Sequence, residues 1–161
     1  MSSSGIGTYV LGLRLVESRD IAIGRLGGFA FPAGWYLYVG SALGSGGLRA
    51  RLARHLRRLG EGKRAHWHID VLREHATWVG AWACASDQRL ECTWTAALRC
   101  LPGAEVVAAG FGASDCGCPA HLLWVPLLPS DEWFRDQLCS ERVIVDSEEL
   151  EGLLAILVSD D

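Results

Sequence analysis

The sequence predicts a small α/β domain of the α+β kind, a central, mostly antiparallel sheet flanked by helices. Three observations carry that expectation. Strand-like segments follow one another near the N-terminus with only short Gly- and Pro-containing turns between them, which suits antiparallel pairing better than crossovers. Two helix-like segments follow, around residues 48–59 and 89–100, separated by further strand-like runs. Finally, 161 residues of which 50% are apolar can enclose one proper core, and there is no room for two domains of typical size.

Tyr9, Leu11, Leu13 and Leu15 alternate with Thr8, Val10, Gly12 and Arg14, the period-two pattern of a strand with one face more apolar than the other. Ser18-Arg19-Asp20 turns the chain into a short second strand, Ile21–Ile23, and Gly27-Gly28 and Pro32-Ala33-Gly34 punctuate the return. Trp35–Gly40, dense in aromatic and β-branched residues, reads as a central strand and completes a meander. The Gly- and Ser-rich loop Ser41–Gly47 leads into a helix, Leu48–Leu59, whose Leu48, Leu52, Leu56 and Leu59 form one stripe and which Gly60 and Gly62 end. Arg51, His55 and Arg58, at i, i+4 and i+7, lie along one flank of that stripe.

Residues His66–Leu72 read as a further strand, and Ala76–Ala85 as another or its continuation. Asp87 is the expected N-cap of a second helix, Arg89–Cys100, which carries Glu91 in its first turn and stops at Pro102-Gly103. Two last strands, Glu105–Ala109 and Leu122–Val125, are expected around a loop, Gly110–His121. The domain is therefore placed at residues 1–126. Residues 127–161, with 10 acidic residues and 2 arginines, form an acidic C-terminal extension whose Leu150, Leu153, Leu154 and Leu157 predict a short amphipathic helix at Glu148–Val158, packed on the domain.

Composition narrows the function classes. Met1–Val10 lack the basic start and apolar stretch of a secretory signal, and no apolar run approaches the ~20 residues that span a bilayer. A cytoplasmic protein without a membrane partner is expected, and its six cysteines are expected as reduced thiols, most of them small core residues. The net charge of −4 argues against a protein that simply coats nucleic acid. Residues 1–75 nevertheless carry 11 Lys/Arg against 5 Asp/Glu, a local +6, and residues 76–161 a local −10, so a positive face remains available for phosphates.

Several residues have the chemistry for such a partner. Arg51 offers a permanently charged planar fork suited to phosphate. The loop holding Gly40, Ser41 and Gly47 precedes a helix N-terminus, where a polynucleotide phosphate can rest, whereas the lysine of a P-loop and the glycine triplet of a dinucleotide fold are missing. Glu91 alone would hold a hard, mostly hydrated cation weakly. His55 reads either as a satisfied structural histidine or as a second acid/base or phosphate donor. His66, His68 and Asp70 would share one strand face, as a reactive cluster or as a polar face that anchors the preceding loop. Cys116-x-Cys118-x-x-His121 offers three ligands of a zinc site, with Cys92 or another thiol as the fourth; the alternative is a tight loop whose thiols and imidazole bond to the backbone.

Gly7-Thr8-Tyr9, Tyr38-Val39-Gly40 and Leu48-Arg49-Ala50-Arg51, in that order, resemble the GIY-YIG nuclease superfamily. The run Trp35–Arg58 and His66-Trp67-His68-Ile69-Asp70 resemble in particular its Uri-like (former DUF123) branch, over residues 5–126 or so. The first motif departs from the pattern in having Thr8 for isoleucine. The resemblance implies that Tyr9 orients or deprotonates the attacking water, and that Tyr38 touches the same water and phosphate. It further implies that Arg51 contacts the scissile phosphate, with His55 beside it, and that Glu91 holds one magnesium or manganese ion. Gly40, Ser41, Gly47 and Arg58 are then the expected substrate contacts. The implied activity is divalent-metal-dependent endonucleolytic hydrolysis of DNA, in repair or recombination; no separate DNA-binding domain is expected from the sequence, and a protein partner is expected to supply specificity. Two other classes compete: a non-catalytic nucleic-acid-binding or adaptor module on the same fold, and a zinc-stabilised interaction domain built on Cys116, Cys118 and His121.

Overall fold

Strand β1 (Gly7–Leu15) is the middle of the sheet because both its faces are apolar enough to bury. Tyr9, Leu11, Leu13 and Leu15 fill one side, and Val10 with Thr8 is buried on the other. In the computed structural model, residues 5–57, 59 and 65–143 are described. They form an α+β domain in which β1 pairs directly with β4 (Gly34–Ala42) and with β5 (Thr77–Ala85). Strand β6 (Leu122–Val125) lies outside β4 and the two-residue β7 (Glu141–Arg142) outside β5, giving the order β6-β4-β1-β5-β7 with every pairing antiparallel.

The expected meander is broken at one point. Strands β2 (Arg19–Ile23) and β3 (Gly27–Phe31) pair with each other in a separate hairpin, closed by a 3₁₀ turn at Gly24–Leu26, and leave β1 free to meet β4. The hairpin's buried Ile21, Ile23 and Phe31 join the core on the Tyr9 side of the sheet.

That same side is covered by α1 (Gly47–Leu56), through Leu48 and Leu52, and by α2 (His68–His75), through Ile69 and Leu72. The opposite face buries α3 (Glu91–Arg99), through Trp94 and Leu98, and α4 (Asp131–Leu138), through Phe134 and Leu138. Trp82 of β5 stacks on Phe134 with ring centroids 4.0 Å apart and donates its indole N–H to Asp131 at 2.9 Å. Thus the segment expected as an appendage supplies, as far as it is described, a helix and an edge strand of the domain.

Further expectations are corrected. The cysteines are not core residues: Cys92, Cys100, Cys116 and Cys139 are exposed and Cys84 and Cys118 only half-buried. His66–Leu72 is not a strand: Ile69 and Leu72 are three apart and both buried, and Asp70 accepts the backbone N–H groups of His66 and Trp67 at 2.8 and 2.9 Å, which caps the start of α2. Glu105–Ala109 is irregular apart from one bridge, Glu105 to Trp124. Asp87 does not cap α3, which begins after Leu90 without a side-chain cap. Helix α1 stops at Leu56, where Arg57 turns extended; Arg58, Gly60, Gly62 and the helix expected at Glu148–Val158 lie outside the described residues. No helix among the described residues is long and apolar enough to cross a membrane.

Candidate active site

In the β1/β4 register Tyr9 faces Gly40 and Leu11 faces Tyr38, so the two tyrosines sit diagonally on one face of adjacent strands. Gly40 is small for a steric reason: a Cβ there would lie 2.4 Å from the Tyr9 hydroxyl. The Tyr9 hydroxyl hydrogen-bonds His55 Nε2 at 2.7 Å, and both residues are only 1% exposed. Burial, with Tyr38 nearby, raises the Tyr9 pKa well above that of a free phenol; the neighbouring Arg51 guanidinium offsets only part of this. Tyr38 is likewise raised by burial. Both phenols are neutral at physiological pH.

Arg51, in the first half of α1, donates to the Ser41 carbonyl at 3.0 Å and stacks over the Trp67 ring, 4.4 Å from its centroid. Arg54 stacks on Trp67 at 4.1 Å and forks onto Asp70 with bonds of 2.7 and 2.9 Å. Burial alone would raise the Asp70 pKa, but Arg54 and the two backbone N–H groups hold it well below the usual carboxylate range. This ion pair locks α1 to the start of α2 and fixes Trp67 as the platform beneath Arg51. His66, His68 and Asp70 therefore do not share a face. Asp70 is buried, while His68 accepts the Gly112 N–H on Nδ1 at 2.9 Å, a bond that needs its neutral form and agrees with the pKa that burial lowers.

Tyr9, Tyr38, Gly40, Ser41, Arg51 and Glu91 all line one cleft of about 570 Å³ at the end of the sheet. Glu91 reaches it from the opposite layer because α3 begins beside the end of β4, where the Ser41 hydroxyl donates to Glu91 Oε1. His55 stands behind Tyr9, off the cleft wall, and Gly47 is buried at the start of α1 with a left-handed φ of 65°. The wall takes Gly44 instead. Trp67, His68 and Arg89 also line the cleft. The signal for Trp67 was its place beside the His66–Asp70 run; nothing in the sequence marked Arg89.

Cys92, Cys116 and His121 line the same cleft, and with Cys118 they present ligand atoms that all lie within 4.8 Å of one another and could hold a metal ion. Cys116 Sγ is 3.1 Å from His121 Nε2, and Cys118 Sγ is 2.9 Å from Cys92 Sγ. Hydrogen bonding to Cys92, with burial, pushes the Cys118 thiol up to about 12. The other ring nitrogen of His121 bonds the Thr95 hydroxyl at 2.7 Å. Thr95 was not anticipated, although it lies one helical turn after Cys92 and hence on the same side of α3. The glutamate and the thiols thus form two adjoining donor sets on one cleft, hard oxygen and soft sulfur.

The model of a family described as "Domain of unknown function DUF123" matches residues 8–138. The chain belongs to this family. No curated protein and no solved structure matches it. The DUF123 match takes in every described side chain of the cleft and all four members of the thiol cluster, and it runs on to the end of α4.

Proposed function

We propose that the cleft hydrolyses phosphodiester bonds of DNA with the help of one divalent cation, as a small cytoplasmic endonuclease of repair or recombination. The observation that carries this reading is the convergence of Tyr9, Tyr38, Arg51 and Glu91 on one cleft, in the arrangement that the likeness to the GIY-YIG nuclease superfamily implies.

Each residue has a definite task. A buried neutral phenol is a poor base by itself, so Tyr9 accepts a proton from the attacking water while passing its own to His55 Nε2, and no phenolate need form. Tyr38, 8% exposed, orients the same water or a phosphoryl oxygen by donating its hydroxyl. Arg51, backed by Trp67 and tied to the Ser41 carbonyl, presents its remaining N–H groups to the non-bridging oxygens, where negative charge grows. Glu91 fits magnesium or manganese of the loosely held kind, because one carboxylate beside a hydroxyl in an open polar cleft suits an ion that keeps its waters and shares the substrate phosphate. Such an ion supplies charge neutralisation at the phosphate. A protein partner supplies the choice of DNA structure.

Incubating the purified protein with labelled single-stranded, duplex, flapped and branched DNA, with and without manganese, tests the reading. Cleavage that needs the cation and disappears in Glu91→Gln is expected. Retention of DNA without cleavage of any substrate would favour the adaptor class instead.

A further inference from the structure

We propose that Cys92, Cys116, Cys118 and His121 bind one Zn²⁺, and that this ion staples the 110–121 loop to the first turn of α3 and so sets the cleft wall that carries Glu91. The donor set names the metal. Three thiolates and one imidazole suit zinc and are a poor match for magnesium or manganese, which prefer oxygen. Four protein ligands also fill a tetrahedral shell, which makes the site structural, with no position left for substrate.

The geometry is close to what zinc requires. Bonds of ~2.3 Å to sulfur and ~2.0–2.1 Å to nitrogen place tetrahedral ligand atoms roughly 3.5–3.8 Å apart. The separations of 2.9 Å between Cys92 and Cys118 and 3.1 Å between Cys116 and His121 need to open by fractions of an ångström, and no pair of ligand atoms, all within 4.8 Å of one another, has to close by much more than about an ångström to admit the ion. Binding converts the thiols to thiolates and releases their protons to solvent. Cys92 and Cys116 are exposed, so the metal has a path in.

A second observation points to a ligand independently of the cysteines. His121 is 5% exposed and Thr95 1%, and the 2.7 Å bond between Nδ1 and the Thr95 hydroxyl leaves Nε2 facing the sulfurs. An outer-shell partner of this kind fixes the tautomer and aim of a metal-binding imidazole. Backbone bonds hold the same residue from both sides: His121 N–H to Phe111 O at 2.8 Å, and Val39 N–H of β4 to His121 O at 2.9 Å. The imidazole is thus positioned by the sheet, while the three thiols come from α3 and the loop.

The consequence for Glu91 follows from the chain. Cys92 is its neighbour in the first turn of α3, and the loop that zinc would clamp also carries Gly112, whose N–H bonds His68 across the cleft. This second half of the proposal rests on the phosphodiesterase reading; zinc binding does not.

Metal analysis of the full chain, loaded under reducing conditions, should find one zinc per chain. Cobalt substitution should give thiolate-to-metal charge transfer and the spectrum of a tetrahedral site. Cys118→Ser and His121→Ala should lose that metal, whereas Cys100→Ser, outside the cluster, should keep it. Thr95→Val, which leaves all four ligands in place, should weaken zinc by about 10–100-fold while the protein stays folded. A wild-type chain that takes up no zinc, or ligand variants that keep it undiminished, would overturn the proposal. One zinc per chain with no cleavage of any DNA upholds the metal site and removes the phosphodiesterase reading; manganese-dependent cleavage by a zinc-free chain does the opposite.

Discussion

Tyr9 keeps its proton because it is buried, and that decides how it can take part in proton transfer. A relay through His55 predicts that Tyr9→Phe, which removes only the hydroxyl, lowers turnover by at least ~10²-fold with the fold retained; single-turnover cleavage beside a circular dichroism spectrum checks it. The same measurement separates the arginines. Arg51→Ala should cost on the order of 10²-fold or more, since its fork opens on the cleft, while Arg49→Ala, exposed on α1, should change mainly the salt dependence of binding. Thr8, next to Tyr9 and pointing to the other face, is fully buried, and its hydroxyl finds no hydrogen-bond partner among the described residues. Thr8→Val keeps the shape and removes the orphaned group, so a gain in unfolding free energy of about 1 kcal/mol is expected in urea titration. A loss there would mean that the hydroxyl does have a partner in solution.

Helix α2 is the element on which reading from the sequence and the structure part company. His66-x-His68-x-Asp70 alternates for five residues, and so short a run fits a strand or a helix start equally well. The decision is made by groups far away in sequence: Arg54 on α1 grips Asp70, whose carboxylate then collects two backbone N–H groups and turns the chain. By contrast β1 and α1 were legible because their apolar periodicity is long enough to specify a face, β4 by its aromatic and β-branched density and α3 by the Pro102-Gly103 stop after it, while the Tyr9, Tyr38 and Arg51 end of the cleft was legible through the motifs that carry the family resemblance. Thr95 and Arg89 were not, since each depends on how α3 meets the loop before β6, whereas Cys92 was already a candidate for the fourth place in the thiol cluster. The Asp70 pair also gives a pH dependence. The folded pKa is depressed, so the stabilisation is fully present above the unfolded value of about 3.9 and is lost as pH falls through the lower folded one. Below about pH 4 the wild type should lose stability more steeply than Asp70→Asn, and at pH 7 the variant should already be weaker by roughly 3 kcal/mol, having left Arg54 without its carboxylate. Parallel acid-unfolding slopes for the two proteins would show that the pair does not hold α2.

Across the whole molecule, charge is divided along the chain, with basic residues concentrated in the first half and acidic ones in the second. The structure changes where that division can be tested. Removing everything after Pro129 would take away α4, and with it Phe134, which is fully buried and stacked on Trp82; truncating one such ring costs about 3–5 kcal/mol, so that shortened chain should unfold. A chain ending at Val143 keeps α4, β7 and the bond from the Val143 N–H to Ala81 O at 2.8 Å. Residues 144–161 contain six acidic side chains and no basic one, so their removal turns the net charge from −4 to +2. If that acidity competes with DNA phosphates for the basic half, the chain ending at Val143 should bind DNA more tightly at low salt. The advantage should shrink as ionic strength approaches ~0.1 M, where screening acts over about 10 Å. Fluorescence anisotropy with labelled duplex across a salt series measures both, and equal affinities for the two folded chains at every salt concentration would assign the acidic segment no part in DNA binding.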